Sequence, residues 1–539
     1  MVNFIKNKLV KGDPVHSVAG AALIVSVTGI ISRLLGLFRD RVLASKFGAG
    51  DVLDVYYAAF RVPDLIYNLL IAGALSAAFI PVFTGLITKK KKKDAWRLAS
   101  GLMFFQVAVI ILISVVLIIF APQVMKIVTP GFPEEKLGDV VNFTRVMFLS
   151  PIFLGISAIF GGILTSFKKF FIYSIAPILY NIGIIIGAVF FVDHLGIIGL
   201  AWGVILGAVL HMAIQYPSVK KSGFKFVFDW VKVRKDRNLG KVFKLMAPRS
   251  LAVGVNQVNL LVITIFASTL ASGSLAVFNF ANNIQSVPLG LFGISFAVAA
   301  FPMLSVSVAK RDDDRFIYVF SRTARRILFF VIPSSVFLFM LRAEIVRIIF
   351  GAGKFDWEDT EATLWVMGFL SLSLFAQSMI PLLARSFYAL ENTKTPFYIA
   401  LFSEAVNIIS IVILIERFEI IGLAIAFSLT SVVNMALLAY FLRRKFGTMD
   451  DKRIISSVSK FVIGSVFSGM MIYLTRHVLG NFIVLDTFIE VLIQLICSGL
   501  VGVGAFVLSC YWLKIEEFHD FKSALLVKIF GHSSEKGVN

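Results

Sequence analysis

Apolar residues run in blocks of twenty or more from one end of the chain to the other, broken by short stretches of charge, glycine and proline. As a helix, a block of that length reaches across a hydrocarbon core about 30 Å thick. Read this way, the pattern predicts about fourteen spans. They lie near residues 18–46, 53–87, 97–121, 141–166, 172–192, 197–217, 242–269, 275–308, 324–350, 361–390, 397–415, 420–442, 456–475 and 487–513. The expected fold class is an all-α polytopic membrane protein.

Composition supports the same picture. Of 539 residues, 58% are hydrophobic and only 16% charged, and the mean hydropathy is +0.88. Soluble domains are about 45–50% apolar and about 25% charged, so an ordinary globular enzyme is excluded. Disordered chains are poor in aromatic and aliphatic residues, whereas this one has 54 Phe.

The net charge of +20, from 52 Lys and Arg against 32 Asp and Glu, does not point to nucleic acid because the cations occupy short loops between spans. They also alternate. Lys89–Lys93, Lys168-Lys169, nine Lys and Arg between Lys220 and Lys244, Lys310–Arg326, Lys394 and Arg443–Arg453 mark every second loop. The opposite loops hold Asp51, Glu134, Glu135, Asp193, Asp356, Glu358, Asp359, Glu416 and Glu419. By the positive-inside rule both termini are expected in the cytoplasm, with an even number of spans. The first apolar stretch outruns a signal peptide and reads as a retained span. Cys497 and Cys510 are thirteen residues apart on one span, about 20 Å and too far for a disulfide.

The chain also repeats itself. Ile197-Ile198-Gly199-Leu200-Ala201, Met212-Ala213 and Lys220-Lys221 recur 223 residues later as Ile420-Ile421-Gly422-Leu423-Ala424, Met435-Ala436 and Arg443-Arg444. Ala78-Phe79-Ile80-Pro81 recurs as Ala299-Ala300-Phe301-Pro302 at an offset of 221. Six spans therefore match six more in the same orientation. Parallel repeats imply two lobes with a substrate site between them near the midplane. The expected organisation is an N-lobe over 1–217, a basic cytoplasmic loop over 218–241, a C-lobe over 242–445, two extra spans over 446–513 and a cytoplasmic tail over 514–539.

Charge inside a span costs at least about 2.5–3.5 kcal/mol, which makes each such residue a functional candidate. In the first span Arg33, Gly36, Arg39 and Asp40 share an arc of about 120°. In the second, Asp54, Tyr57, Arg61, Asp64 and Asn68 follow spacings of 3, 4, 3 and 4 along one face, with Pro63 among them. Arg39–Asp40 and Asp54–Arg61 also read as helix-packing pairs. Counting Arg33, Arg39 and Arg61 against Asp40 and Asp54 leaves one surplus cation, and guanidinium forks suit phosphate oxygens. An anionic substrate is therefore expected. The second lobe offers amides instead of charges, in Asn279, Asn282 and Asn283 with Ser286, and in Asn256 and Asn259. These suit sugar or peptide groups, or contacts between helices. Glu404 and Asn407 share one face of the eleventh span, where they serve either to couple a cation or proton or to join helices. Arg249 is placed to snorkel. No HExxH or P-loop spacing occurs, and no cofactor or metal is expected beyond coupling to a monovalent cation or to the membrane potential.

At these residues the chain resembles the MurJ/MviN family of lipid II flippases, within a superfamily of multidrug and polysaccharide exporters. The resemblance is carried by Ser32–Asp40, Phe47-Gly48-Ala49-Gly50, Asp54, Arg61-Val62-Pro63, Ala74–Pro81, Pro288–Gly293, Leu383–Leu390 and Thr393–Pro396. It implies a non-enzymatic carrier in the bacterial cytoplasmic membrane that takes undecaprenyl-diphosphate-linked peptidoglycan precursor to the outer leaflet. The lobes would rock between inward-open and outward-open states, with Arg33, Arg39, Asp40 and Asp54 at the central cavity. Spans thirteen and fourteen would form a groove for the polyprenyl tail. The implied partners are lipid II, membrane lipids and cell-wall synthases, with no nucleic acid. The chain departs from the family at Tyr67-Asn68, Ala72, Asn283 and Ile263, so its cavity is less basic and leans on Arg33, Arg39 and Arg61. Three alternatives are an exporter of another polyprenyl-diphosphate oligosaccharide, a cation-coupled drug antiporter needing an acidic cavity, and a scaffold for cell-wall enzymes.

Overall fold

The computed structural model describes residues 18–72, 78–227, 236–482 and 487–530. The basic N-terminal segment, residues 74–77 of the matched motif, part of the 218–241 loop and the end of the tail lie outside the described residues, as do the side chains of Arg249 and Asn256. The described residues form helices and turns with no strand. Lipid offers no hydrogen bonds, so a spanning backbone must satisfy its own, which an isolated open sheet cannot do. Among the described residues, seven helical stretches are individually long and apolar enough to cross a membrane, and a pair bent by 46° near Ser373 makes an eighth if it counts as one span. One of the seven, Phe170–Lys221, has 52 residues. Unbroken it would be about 78 Å long; it is interrupted at Gly196, whose φ is +70°.

Contacts divide the chain into two compact units: residues 1–279 with 352–359, and residues 280–351 with 360–539. The first contains α1 (Val18–Phe47), α2 (Asp51–Tyr67), α3 (Ile80–Thr88), α4 (Lys92–Ile119), α5 (Ala121–Val128), α6 (Glu134–Met147) and α7 (Ser150–Ser166). It continues with α8 (Phe170–Ile186), α9 (Gly199–Ala213), α10 (Tyr216–Lys221), α11 (Arg237–Ala267) and the start of α12 (Ser274–Pro288). One core lies among α3, α4 and α7, where Phe79, Phe83, Leu102 and Ile163 are fully buried. Helices α8 and α9 meet backbone to backbone. A Cβ added at Gly183 would lie 2.3 Å from Gly207 Cα, and one at Gly203 would lie 2.6 Å from Gly187 Cα. These are paired small-xxx-small stripes, the way helices approach closely when lipid supplies no hydrophobic drive.

The second unit holds the rest of α12, then α13 (Ser295–Ala309), α14 (Asp313–Met340), α15 (Arg342–Phe350), α16 (Trp357–Leu372) and α17 (Leu374–Ala389). The 53-residue α18 (Lys394–Phe446) is divided at Glu419, φ +48°, and is followed by α19 (Asp451–Gly480), α20 (Phe488–Trp512) and α21 (Glu516–Phe530). Its core gathers Phe316, Phe320, Leu382, Phe387 and Phe461.

The repeat is written into the backbone as well as the sequence. A π-helical segment at Asn68–Ala72 recurs at Leu289–Ile294, offset by 221. Left-handed residues recur too: Lys90 with Arg311, Lys168 with Glu391, and Gly196 with Glu419. Two of these pairs close matching helix ends, with amide-to-carbonyl bonds of Lys91 to Leu86 and Asp312 to Ser307, and of Lys169 to Leu164 and Asn392 to Phe387. That six-to-one bond satisfies a carbonyl the helix end would otherwise leave bare.

Substituting Val at Gly203 forces α8 and α9 apart and is expected to cost about 3 kcal/mol. Gly29→Ala, where an added Cβ meets nothing within 4 Å, is expected to be neutral. Thermal unfolding of the purified protein checks both, and equal melting of Gly203→Val and the parent would refute the close contact.

Candidate functional site

Helix α1 is two-faced. Val27, Ile30, Ile31, Leu34 and Phe38 are exposed, and at roughly 100° per residue they form a single ridge suited to lipid. Arg33 sits about 120° from that ridge, on the face that carries buried Asp40 and Ala44. It is half-buried and, among the described residues, has no hydrogen-bond or carboxylate partner. One turn along, an added Cβ at Gly36 would meet no atom within 4 Å, so the stripe borders open space.

Arg39 is different. Its Nε and Nη2 donate to Asp40 Oδ1 at 2.9 and 2.7 Å, and its Nη1 donates to Asn181 Oδ1 at 3.0 Å. Asn181 Nδ2 returns to the carbonyls of Ser32 (3.4 Å) and Pro177 (3.1 Å). Arg39 and Asp40 therefore join α1 to α8, the helix-packing alternative of the sequence reading. Asn181 was not singled out there; its only signal is an amide in the otherwise apolar α8.

On α2 the expected stripe separates into two levels. Asp54 does not pair with Arg61. It accepts Lys136 Nζ at 2.9 Å and the amides of Gly273 (2.8 Å) and Ala276 (3.0 Å), so it caps the start of α12 and is only 3% exposed. Lys136 also reaches Asp51 at 2.5 Å. This corrects the expectation of Asp54 as a cavity carboxylate: backbone donors from a distant loop claim it first. Two turns further, Arg61 donates from Nε to Thr264 Oγ1 (2.7 Å) and from Nη2 to Asn279 Oδ1 (2.9 Å). Asn279 is thus a partner of Arg61 through its oxygen, while its Nδ2 donates to the Leu275 carbonyl at 2.6 Å. Asp64, one turn from Arg61, takes the place of Asp54 in the charge count. Arg33, Arg39 and Arg61 against Asp40 and Asp64 again leave one cation in excess.

In the second unit the amides form a chain. Gln377 Nε2 donates to Gln285 Oε1 (3.3 Å) and Ser373 Oγ (2.9 Å), and Gln285 Nε2 donates to Asn282 Oδ1 (3.0 Å). Gln285 and Gln377, absent from the sequence reading, tie α12 to α17. Asn283 lies beside this chain in sequence and is itself engaged. Asn407 Nδ2 donates to Glu404 Oε1 at 3.3 Å, and Thr430 Oγ1 donates to Asn407 Oδ1 at 3.4 Å, all three side chains being buried.

A separate apolar groove of about 560 Å³ runs between α12, α14, α20 and α21, with Phe292, Phe329, Phe330, Phe337, Phe506 and Phe521 in its walls. Phe292 stacks on Phe330 at 4.7 Å, and Phe521 meets Phe330 edge-on at 5.4 Å. Spans thirteen and fourteen were expected to make a tail groove together. Of the two, α20 contributes and α19 supplies none of the lining, because α19 packs Phe461 against Phe329 from behind.

Residues 43–493 match the model of a protein family described as lipid II flippase MurJ. A probable lipid II flippase MurJ of Buchnera aphidicola from Acyrthosiphon pisum is 30% identical over 480 residues, which cover 87% of this chain and 92% of the relative. A solved lipid II flippase MurJ in an inward closed conformation superposes with a TM-score of 0.76 at 26% identity, over 91% of this chain and 99% of that one. An inward-facing multidrug transporter of the MATE family and MOP superfamily shares the fold, with a TM-score of 0.67 at 14% identity, over 80% of this chain and 99% of that one.

Asp54→Ala leaves two backbone amides without their acceptor and Lys136 with Asp51 alone, and is expected to cost roughly 3 kcal/mol. Asp51→Ala, on an exposed carboxylate, is expected to cost less than about 1 kcal/mol. Denaturation of the two variants side by side measures the difference, and equal losses would count against Asp54 as the cap.

Proposed function

The chain belongs to the lipid II flippase MurJ family, and from that premise we propose that it carries lipid II from the inner to the outer leaflet of a bacterial cytoplasmic membrane by alternating access, without covalent chemistry. It is a multi-pass membrane protein, and the alternating basic loops support an orientation with both termini in the cytoplasm.

The observation that carries the reading is Arg33. A guanidinium on a membrane-spanning helix is costly unless something compensates it. Arg33 faces away from the lipid ridge, has no partner among the described residues and borders the open space at Gly36. A diphosphate supplies the compensation, because its oxygens accept the planar fork in pairs. In surroundings of low dielectric that attraction is strong. Arg39 and Arg61 add fixed positive charge whose geometry Asn181, Thr264 and Asn279 hold in advance. The sugar and peptide of the cargo meet amides, for which Asn282 and Asn283 are our candidates. The Phe-lined groove suits the polyprenyl tail. A headgroup that binds the closed arrangement better than the open one shifts the protein toward its outward state.

Cationic drugs fit this set poorly, since the charge excess is positive. Another polyprenyl-diphosphate oligosaccharide fits it nearly as well, so the cargo's headgroup is the point to test. We assign coupling to a monovalent cation or to the membrane potential, with Glu404, Asn407 and Thr430 as the oxygen cluster for an ion. Cell-wall synthases are the enzymes that would receive the product.

In proteoliposomes, Arg33→Ala is expected to reduce lipid II flipping roughly tenfold or more, and Arg33→Lys to retain part of it. Full activity of Arg33→Ala would overturn the assignment. Glu404→Gln is expected to make flipping insensitive to an imposed sodium or proton gradient. An unchanged gradient response would place the coupling elsewhere.

A further inference from the structure

Beyond the residues used so far, the second unit contains a charged cavity of about 390 Å³ formed by α14, the start of α19 and the segment leading into α21. Arg322, Arg325, Arg326, Arg453 and Lys514 line it against Glu516, Glu517 and Asp520, five cations to three carboxylates. The excess is two positive charges, with His519 neutral.

The ion pairs inside it are unequal. Arg325 and Glu517 are both nearly buried and in direct contact. Arg453 pairs with Glu516 at 2.7 Å. Arg322 and Arg326 share a single carboxylate, Asp520, at 3.0 and 3.5 Å, and both remain about 40% exposed. Arg325 Nε is buried with no acceptor. A buried donor without a partner is costly; Arg325 reaches Glu516 at 3.5 Å besides Glu517, but Arg322 and Arg326, with one carboxylate between them, are short of acceptors. The cavity is built for an anion in addition to its own acids.

Its position decides which anion. Arg325 and Arg326 lie one helical turn before Phe329 and Phe330, and Asp520 directly precedes Phe521. Those three Phe residues are walls of the apolar groove. The same two helices, α14 and α21, therefore carry the cationic cavity and then the groove. Along α14 the groove extends from Phe329 to Leu338, about 14 Å. The whole arrangement matches an amphiphile with phosphate at one end and a long apolar chain at the other.

We propose that this is a loading site for the diphosphate of the cargo lipid on the cytoplasmic side, used before the headgroup reaches Arg33. The inference rests on the flippase reading for its cargo and on the basic-loop alternation for its side. A sugar-linked polyprenyl diphosphate carries two negative charges, equal to the excess in the cavity. An ordinary anionic phospholipid carries one. A four-chain, two-phosphate lipid has the charge but brings four chains to one groove.

The test uses full-length protein in nanodiscs in an Arg33→Ala background, so that Arg33 does not contribute. The probe is a sugar-linked undecaprenyl diphosphate, with two charges, compared with a sugar-linked undecaprenyl monophosphate, with one, and with phosphatidylglycerol and cardiolipin. Diphosphate binding is expected to exceed monophosphate binding about tenfold and to fall about tenfold in Arg322→Gln/Arg326→Gln, which leaves the buried Arg325–Glu517 pair intact. Asp520→Asn releases both arginines and is expected to tighten binding several-fold, a gain that misfolding cannot imitate. Unchanged affinity in these variants, or displacement of the diphosphate by phosphatidylglycerol or cardiolipin at equal concentration, would overturn the proposal. If the wild-type chain failed to flip lipid II while the binding differences persisted, the transport reading would fall and the diphosphate site would stand.

Discussion

Hydrocarbon solvates neither a charge nor a bare peptide group, and most of what is distinctive in this protein follows from that. Each ionised side chain placed in a span must be compensated from within the protein, from water or from a ligand. Arg39 is answered by Asp40 and Asn181, Arg61 by Thr264 and Asn279, and Asp54 by Lys136 and two backbone amides. Among the described residues Arg33 is the exception. Its lack of a partner there has meaning because its neighbours show how readily this chain supplies partners where the role is structural.

The same constraint shapes the backbone. Helices that cannot lean on hydrophobic drive in lipid approach through glycine, as α8 and α9 do, or through buried amides, as α12 and α17 do. Helix ends close with left-handed residues at repeated positions, and the π-helical segments recur in register. Conserved spacing of turns, more than conserved side chains, keeps the two repeats alike. Their polar content has diverged: the first carries guanidinium and carboxylate groups, and the second carries amides.

Groove and charged cavity extend this logic to the edge of the membrane. Phe residues and arginines follow each other on α14 within two turns, and on α21 within a few residues. Charged lining gives way to apolar lining between them. Short-range alternation of this kind places an amphiphilic ligand without any element having to move.

Residue order alone determined that the chain is an all-helical, multi-pass membrane protein, the alternation of charge between its apolar blocks, the internal repeat and the short set of charges within apolar stretches, because each depends on hydropathy or spacing along the chain. It also presented Arg33, Arg39 and Arg61 as one group, since charges on the polar faces of two successive spans look equivalent until their neighbours are known. Tertiary structure separated them. Asn181 lies 142 residues from Arg39 and Gly273 lies 219 from Asp54, and no periodicity announces contacts at such distances. The Phe-lined groove is similar: α19 and α20 both read as spanning helices, and only packing turns α20 toward the groove while α19 packs behind Phe329. Which charges are spent on holding the fold and which one is left for a ligand is a three-dimensional fact, because a hydrogen bond is decided by geometry within about 3 Å.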